Sequence, residues 1–121
     1  MDNELVMYLL VNQDIGMGKG KVAAQCCHAA TIYTYRTLTN THTNIICQQQ
    51  TEDFHKWYSY IQKKIVLKAS QELLEKLEVN GYISIRDKGY TQIPENSLTV
   101  VTLGITTRES VSEIVKDLKL L

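Results

Sequence analysis

The spacing of apolar positions changes several times along the chain, and each change marks an element. Leu5 to Val11 is apolar at every position and stops at Asn12-Gln13-Asp14, the pattern of a strand buried on both faces in the middle of a sheet. A glycine-rich turn at 16–20 leads into a stretch from Lys21 to about Arg36 that is dense in Ala and free of Gly and Pro, which predicts a helix. Residues 38–50 keep neither period and are rich in Thr, Asn and Gln, so they read as helix end and loop. From Thr51 onward Phe54, Trp57, Tyr58 and Ile61 recur at spacings of 3, 4 and 7, the mark of a second helix.

The β-branched run from Lys63 to Lys68 predicts a strand. Ser70 then caps a helix carrying Leu73, Leu74 and Leu77, which ends at Asn80-Gly81. Tyr82 to Arg86 alternates at period two, Asp87-Lys88-Gly89 turns, and a loop at 90–97 precedes a second β-rich run at 98–104. Thr106-x-x-Glu109 has the form of a capping box, and Val111, Ile114, Val115 and Leu118 follow on one helical face. The expected fold is therefore α/β: a single three-layer domain over 1–121, with a mixed sheet of about four strands, helices on both faces, and the order β-α-α-β-α-β-β-α. There is no internal repeat.

Composition narrows the function classes. Thirteen basic residues balance thirteen acidic ones, which removes the argument from a strongly basic domain and leaves any RNA contact to a local patch. Three cysteines, two of them adjacent at Cys26 and Cys27, form neither an even disulfide set nor a CxxC pair, so reduced thiols in a cytoplasmic protein are the expectation. The apolar run at 5–11 is preceded by Asp2 and Glu4, unlike a secretory signal, and is too short to cross a membrane.

The stretch GMGKGKVAAQCCHAA at 16–30 opens like a phosphate loop. It fails that pattern: Ile15 stands where the first glycine belongs and Val22 where the magnesium-binding hydroxyl belongs. The dinucleotide fingerprint fails too, because its third glycine comes one residue early. A strand, a glycine turn, a helix N-terminus and lysines remain, a place where backbone N–H groups can meet an anion. Lys21, Gln25 and His28 follow at spacings of 4 and 3, one polar stripe on a helix otherwise made of Val, Ala and Cys. Spacing alone leaves two readings open, a solvated face or a functional one.

Together with IRDKGYTQIPENS at 85–97 followed by Thr99-Val100, that stretch resembles the archaeal and eukaryotic, second type of peptidyl-tRNA hydrolase. The likeness extends to the Trp57 segment, to residues 62–68 and to the closing Leu118-Lys119-Leu120-Leu121. It implies hydrolysis of the ester between a peptide and the 3′-terminal ribose of tRNA, with no metal or organic cofactor. The implied catalytic positions are Lys21, Gln25, Asp87 and Thr91. Such an ester develops negative charge on its carbonyl oxygen, which an ammonium or amide N–H can stabilise. Lys21 and Gln25 carry such donors, Asp87 could orient Lys21 or polarise a water, and Thr91 could position that water or the ribose.

Lys19, Arg86 and Lys88 add positive charge to the two motifs, and with His28 and Ser97 they are the candidate substrate- and tRNA-binding residues. Each residue also has a plainer use: Asp87 as a turn former, Trp57 as core, and Cys26 and Cys27 as small core residues, since neighbours on a helix point about 100° apart and form no dyad with His28. Two departures stand out against the family pattern. Lys88 follows the motif aspartate where Ala is usual, and Gly104 is followed by Ile105 rather than Pro. A tRNA- or protein-binding module without hydrolysis, and self-association into a homodimer, are left open.

Overall fold

A computed structural model describes residues 3–39, 48–88 and 93–121. Its elements follow the expected order: β1 (Leu5–Asn12), α1 (Lys19–Thr39), α2 (Gln48–Ser59), β2 (Lys64–Ala69), α3 (Gln71–Val79), β3 (Ile83–Arg86), β4 (Leu98–Thr107) and α4 (Ser112–Val115). The strands form one sheet in the order β2-β1-β4-β3. β1 runs parallel to β2 and antiparallel to β4, which in turn pairs antiparallel with β3.

The continuous apolar run of β1 is explained by its central place. Val6, Tyr8 and Leu10 pack on one side with Leu74 and Leu77 of α3 and with Val111 and Val115. Met7, Leu9 and Val11 pack on the other with Ala29 and Tyr33 of α1 and Phe54 and Trp57 of α2. Two cores thus flank one sheet, and period-two alternation assigns each β1 side chain to one of them. Trp57 takes its plainer use as core: it is buried, and its indole N–H donates to the Lys63 carbonyl at 2.8 Å.

Ser70 caps α3 as expected, its hydroxyl accepting the Leu73 N–H at 3.1 Å. The C-terminal cap differs from the expectation. β4 continues through Thr106, which pairs with Val6. It is Thr107 whose hydroxyl accepts the Ser110 N–H, at 3.2 Å. The helix that follows is a 3-10 turn (Glu109–Val111) running into the short α4. The strand's pairing with β1 outweighs the local capping signal at Thr106. Beyond α4, Lys119 and Leu121 hydrogen-bond Lys68 and Val66, so the closing residues cover the outer edge of β2. No helix among the described residues is long and apolar enough to cross a membrane.

β4 carries two irregularities that matter for the site. Its pairing with β1 slips between Tyr8 and Leu9, leaving Leu103 as the extra residue beside Gly104. Gly104 has φ +75° and lies so close to the Tyr33 ring that a Cβ there would stand 2.5 Å from Cε1. Its pairing with β3 slips between Ile85 and Arg86, leaving Thr99 as the extra residue. Both are β-bulges, which bend a strand and re-aim a side chain.

Candidate active site

The two sequence motifs meet where the N-terminal half of α1 crosses the end of β3. Val22 N–H donates to the Gly18 carbonyl at 3.0 Å, so the helix is established by the time the chain reaches Lys21. Gly20 borders the cleft, and nothing lies within 4 Å of where its Cβ would stand; the absent side chain leaves the mouth open.

On the other side, backbone bonds frame Asp87. Its N–H donates to the Ser97 carbonyl at 2.9 Å and its carbonyl accepts the Asn96 N–H at 2.7 Å. Asp87 therefore sits at the base of a closed loop, and it is buried rather than a solvated turn residue.

Lys21 Nζ donates to Asp87 Oδ1 across 66 residues of sequence. The side chains are 10% and 5% exposed, so the pair is largely withdrawn from solvent and its partners are strongly tied to each other. Gln25, one helical turn further on, is buried. Its Nε2 donates to Thr99 Oγ1 at 2.8 Å, and Thr99 Oγ1 donates to the Ile85 carbonyl at 3.1 Å. Because the single threonine proton goes to Ile85, the threonine oxygen must accept, which fixes the orientation of the Gln25 amide. One Gln25 N–H and its carbonyl oxygen remain for other partners.

Lys21, Gln25 and Asp87 line a cleft of about 890 Å³, with His28 and Ile32 along α1 and Ser84, Arg86 and Lys88 on the β3 side, while Thr99 lies buried behind Gln25. Lys21, Gln25, His28, Arg86, Asp87 and Lys88 are thus brought together. Lys19 is exposed at the start of α1 and is not among the lining residues. Ser97 does not line it either; its hydroxyl donates to the Pro94 carbonyl at 2.7 Å. Thr91 lies outside the described residues. Arg86 is committed elsewhere: its guanidinium grips Glu78 of α3, with Nη2 to Oε1 at 2.7 Å and Nε to Oε2 at 3.1 Å.

The polar stripe on α1 does not stand opposite its packed face. Gln25 begins the buried line Gln25, Ala29, Tyr33 and Thr37, spaced by four, while Ala23, Ala24 and Cys27 are exposed. Lys21 and Gln25 point at the sheet, and His28 stands exposed at the rim. Cys26 packs partly in the core beside α1, whereas Cys27 is exposed, so only the first behaves as a core residue. Burial, and then the neighbouring Cys27, raises the Cys26 thiol above its ordinary range, which leaves it a poor nucleophile.

Thr99 escaped the reading of site residues from sequence. Its motif position was visible, but the bulge that turns it toward Gln25 has no local signature in Ser97-Leu98-Thr99-Val100.

A sequence model of the family Peptidyl-tRNA hydrolase PTH2 matches residues 5–121. The peptidyl-tRNA hydrolase of Methanococcus maripaludis strain C7 is 37% identical over 121 residues, covering 93% of this chain and 96% of its own length. Peptidyl-tRNA hydrolase 2 of Saccharomyces cerevisiae is 39% identical over 125 residues, 97% of this chain and 58% of its own. The protein named Probable peptidyl-tRNA hydrolase 2 in Dictyostelium discoideum is 34% identical over 119 residues, 93% of this chain and 52% of its own. The chain thus spans little more than half the length of these two eukaryotic relatives and nearly all of the archaeal one. With both motifs converging on one cleft and the match running through the whole sheet, the chain belongs to the Peptidyl-tRNA hydrolase PTH2 family.

Proposed function

We propose that this chain hydrolyses the ester between a peptide and the 3′-terminal ribose of peptidyl-tRNA, in the cleft between α1 and the end of β3. The observation that carries the reading is the withdrawn Lys21–Asp87 pair, which joins the two motifs at the cleft. Attack of water on the ester carbon moves negative charge onto the carbonyl oxygen. An ammonium held in place by a carboxylate is a preorganised donor for that charge, in a site that needs no reorganisation when it develops. Lys21 is that donor, and Asp87 keeps it aimed. Gln25 presents its remaining N–H or carbonyl oxygen to the substrate or the attacking water, with Thr99 fixing its amide plane.

His28 and Lys88 at the rim suit the anionic end of tRNA, Lys88 as an exposed cation. The two free thiols at Cys26 and Cys27 and a translation substrate fit a reducing cytoplasm. The exposed Tyr35, Leu38 and Tyr58 along α1 and α2 support self-association as a homodimer, which sedimentation would test.

The test is release of labelled N-acetyl-aminoacyl ester from tRNA by the purified protein. Lys21→Ala and Asp87→Ala should each lower kcat/KM by about 10²–10³-fold. Background release by the unaltered protein, together with retained tRNA binding, would replace the enzyme with a binding module.

A further inference from the structure

Two adjacent residues at the end of β3 face opposite sides of the sheet. Asp87 reaches Lys21 on the α1 side, and Arg86 reaches Glu78 on the α3 side. That division follows from period-two alternation, and it means that whatever fixes Arg86 also fixes the direction in which Asp87 leaves the strand.

Glu78 holds this strand end with three bonds. It accepts from Arg86 Nη2 at 2.7 Å, from Arg86 Nε at 3.1 Å and from Ser84 Oγ at 2.6 Å. Ser84 and Arg86 are alternate residues of β3, so one carboxylate spans both positions on that face. The remaining edge of the guanidinium donates from Nη1 to the Asn96 carbonyl at 2.8 Å. Asn96 holds φ +70°, and its own N–H donates to the Asp87 carbonyl at 2.7 Å. A single chain of contacts therefore runs from α3 through Glu78, Arg86 and Asn96 to the backbone of Asp87.

The place of Glu78 argues for a specific use. It is the penultimate residue of α3, where the helix dipole disfavours a carboxylate, and it lies outside the cleft. Bidentate contact with a guanidinium adds directional restraint that a lysine or a single hydrogen bond would not.

We infer that Glu78 is a positioning residue for the hydrolytic site, which acts by clasping Arg86 and so holding the Asp87 carboxylate in register with Lys21. This rests on the hydrolase reading above. It also reassigns Arg86 from tRNA contact to the frame of the site.

The experiment is steady-state hydrolysis of N-acetyl-aminoacyl-tRNA by the full chain, the unaltered protein beside Glu78→Gln, Glu78→Ala and Asp87→Asn, and the double variant Glu78→Ala with Asp87→Asn. Each is run well below its measured melting temperature. Glu78→Ala should lower kcat about tenfold with KM within about twofold, because misaiming a group costs rate rather than affinity. Glu78→Gln, which keeps the shape and one acceptor, should fall between the two and serves alone if the alanine variant does not fold. In the Asp87→Asn background, removing Glu78 should change kcat by less than about twofold, since both act through the same carboxylate. A purely structural tether would lower the melting temperature in every background and leave kcat of the folded protein unchanged, which overturns the inference. A raised KM at constant kcat also overturns it and returns Arg86 to the binding surface. Background release by the unaltered protein fails the hydrolase reading itself, and the inference falls with it.

Discussion

β4 solves the same problem twice, at its two bulges, to different ends. At one bulge Thr102 Oγ1 donates to the Tyr8 carbonyl at 2.8 Å and accepts the Gly104 N–H at 3.0 Å. At the other Thr99 Oγ1 donates to the Ile85 carbonyl at 3.1 Å and accepts from Gln25 Nε2 at 2.8 Å. Each threonine is buried, and each hydroxyl fills a gap left where the ladder loses register. At Thr102 both partners are backbone, and the bulge lets Gly104 come against Tyr33 so that α1 can sit close. At Thr99 one partner is a side chain at the cleft. The difference teaches that a sheet defect becomes part of a site when its hydroxyl is shared with a group that can also reach substrate.

The sharpest way to break the first bulge is Gly104→Ala. The left-handed backbone angle and the collision with the Tyr33 ring together should cost about 3 kcal/mol or more, read as a collapse of the urea midpoint. Thr102→Val should cost about 2 kcal/mol by leaving Tyr8 O and Gly104 N–H buried without a partner, with kcat unchanged in the protein that remains folded. Thr99→Val should reverse that balance. Stability falls by only about 1 kcal/mol, because cleft water can serve the released Gln25 amide, while kcat drops about tenfold as the amide loses its fixed plane. Equal kcat losses in the two valine variants would erase the distinction between the bulges.

The smallest effect concerns pH and the clasp at the end of β3. The hydrogen bond from Arg86 holds the Glu78 carboxyl below its ordinary value of 4.5. A depressed folded value means that the contribution to stability is complete above the unfolded value and is lost as pH falls through the folded one. The pair is partly exposed, at 36% and 28%, so the contribution is below about 1 kcal/mol. The melting-temperature gap between the unaltered protein and Glu78→Gln should be present at pH 6 and close below the ordinary carboxylate range. A gap that persists into strong acid would mean the glutamine variant loses packing rather than charge.

Much of this was legible beforehand, because the strong signals were periodic. The apolar run of β1, the cap at Ser70, the alternation of β3 and the spacing of Lys21 and Gln25 each follow from one local rule. What stayed hidden depends on contacts between distant segments. Gln25 on a buried line of α1 requires a buried partner, and that partner is set by a bulge in a strand 74 residues away. Arg86 reads from sequence only as one of several basic residues in the motifs, and its pairing with Glu78 of α3 has no local signature. Thr106 offers a sound capping pattern, yet pairing with Val6 keeps it in the strand. Thr91 and the segment at 40–47 lie outside the described residues.

The strand order has a consequence in time. β3 pairs only with β4 among the described strands, and β4 stands between β3 and β1. As the chain is synthesised from its N-terminus, the Lys21 half of the site and the Asp87 half are both made before the strand that joins them. While still attached to its own tRNA and short of residues 98–107, the nascent chain has no sheet to hold the two halves together. The two halves of the site therefore come together only once the strand at 98–107 has been made and has left the ribosome to pair with both β1 and β3.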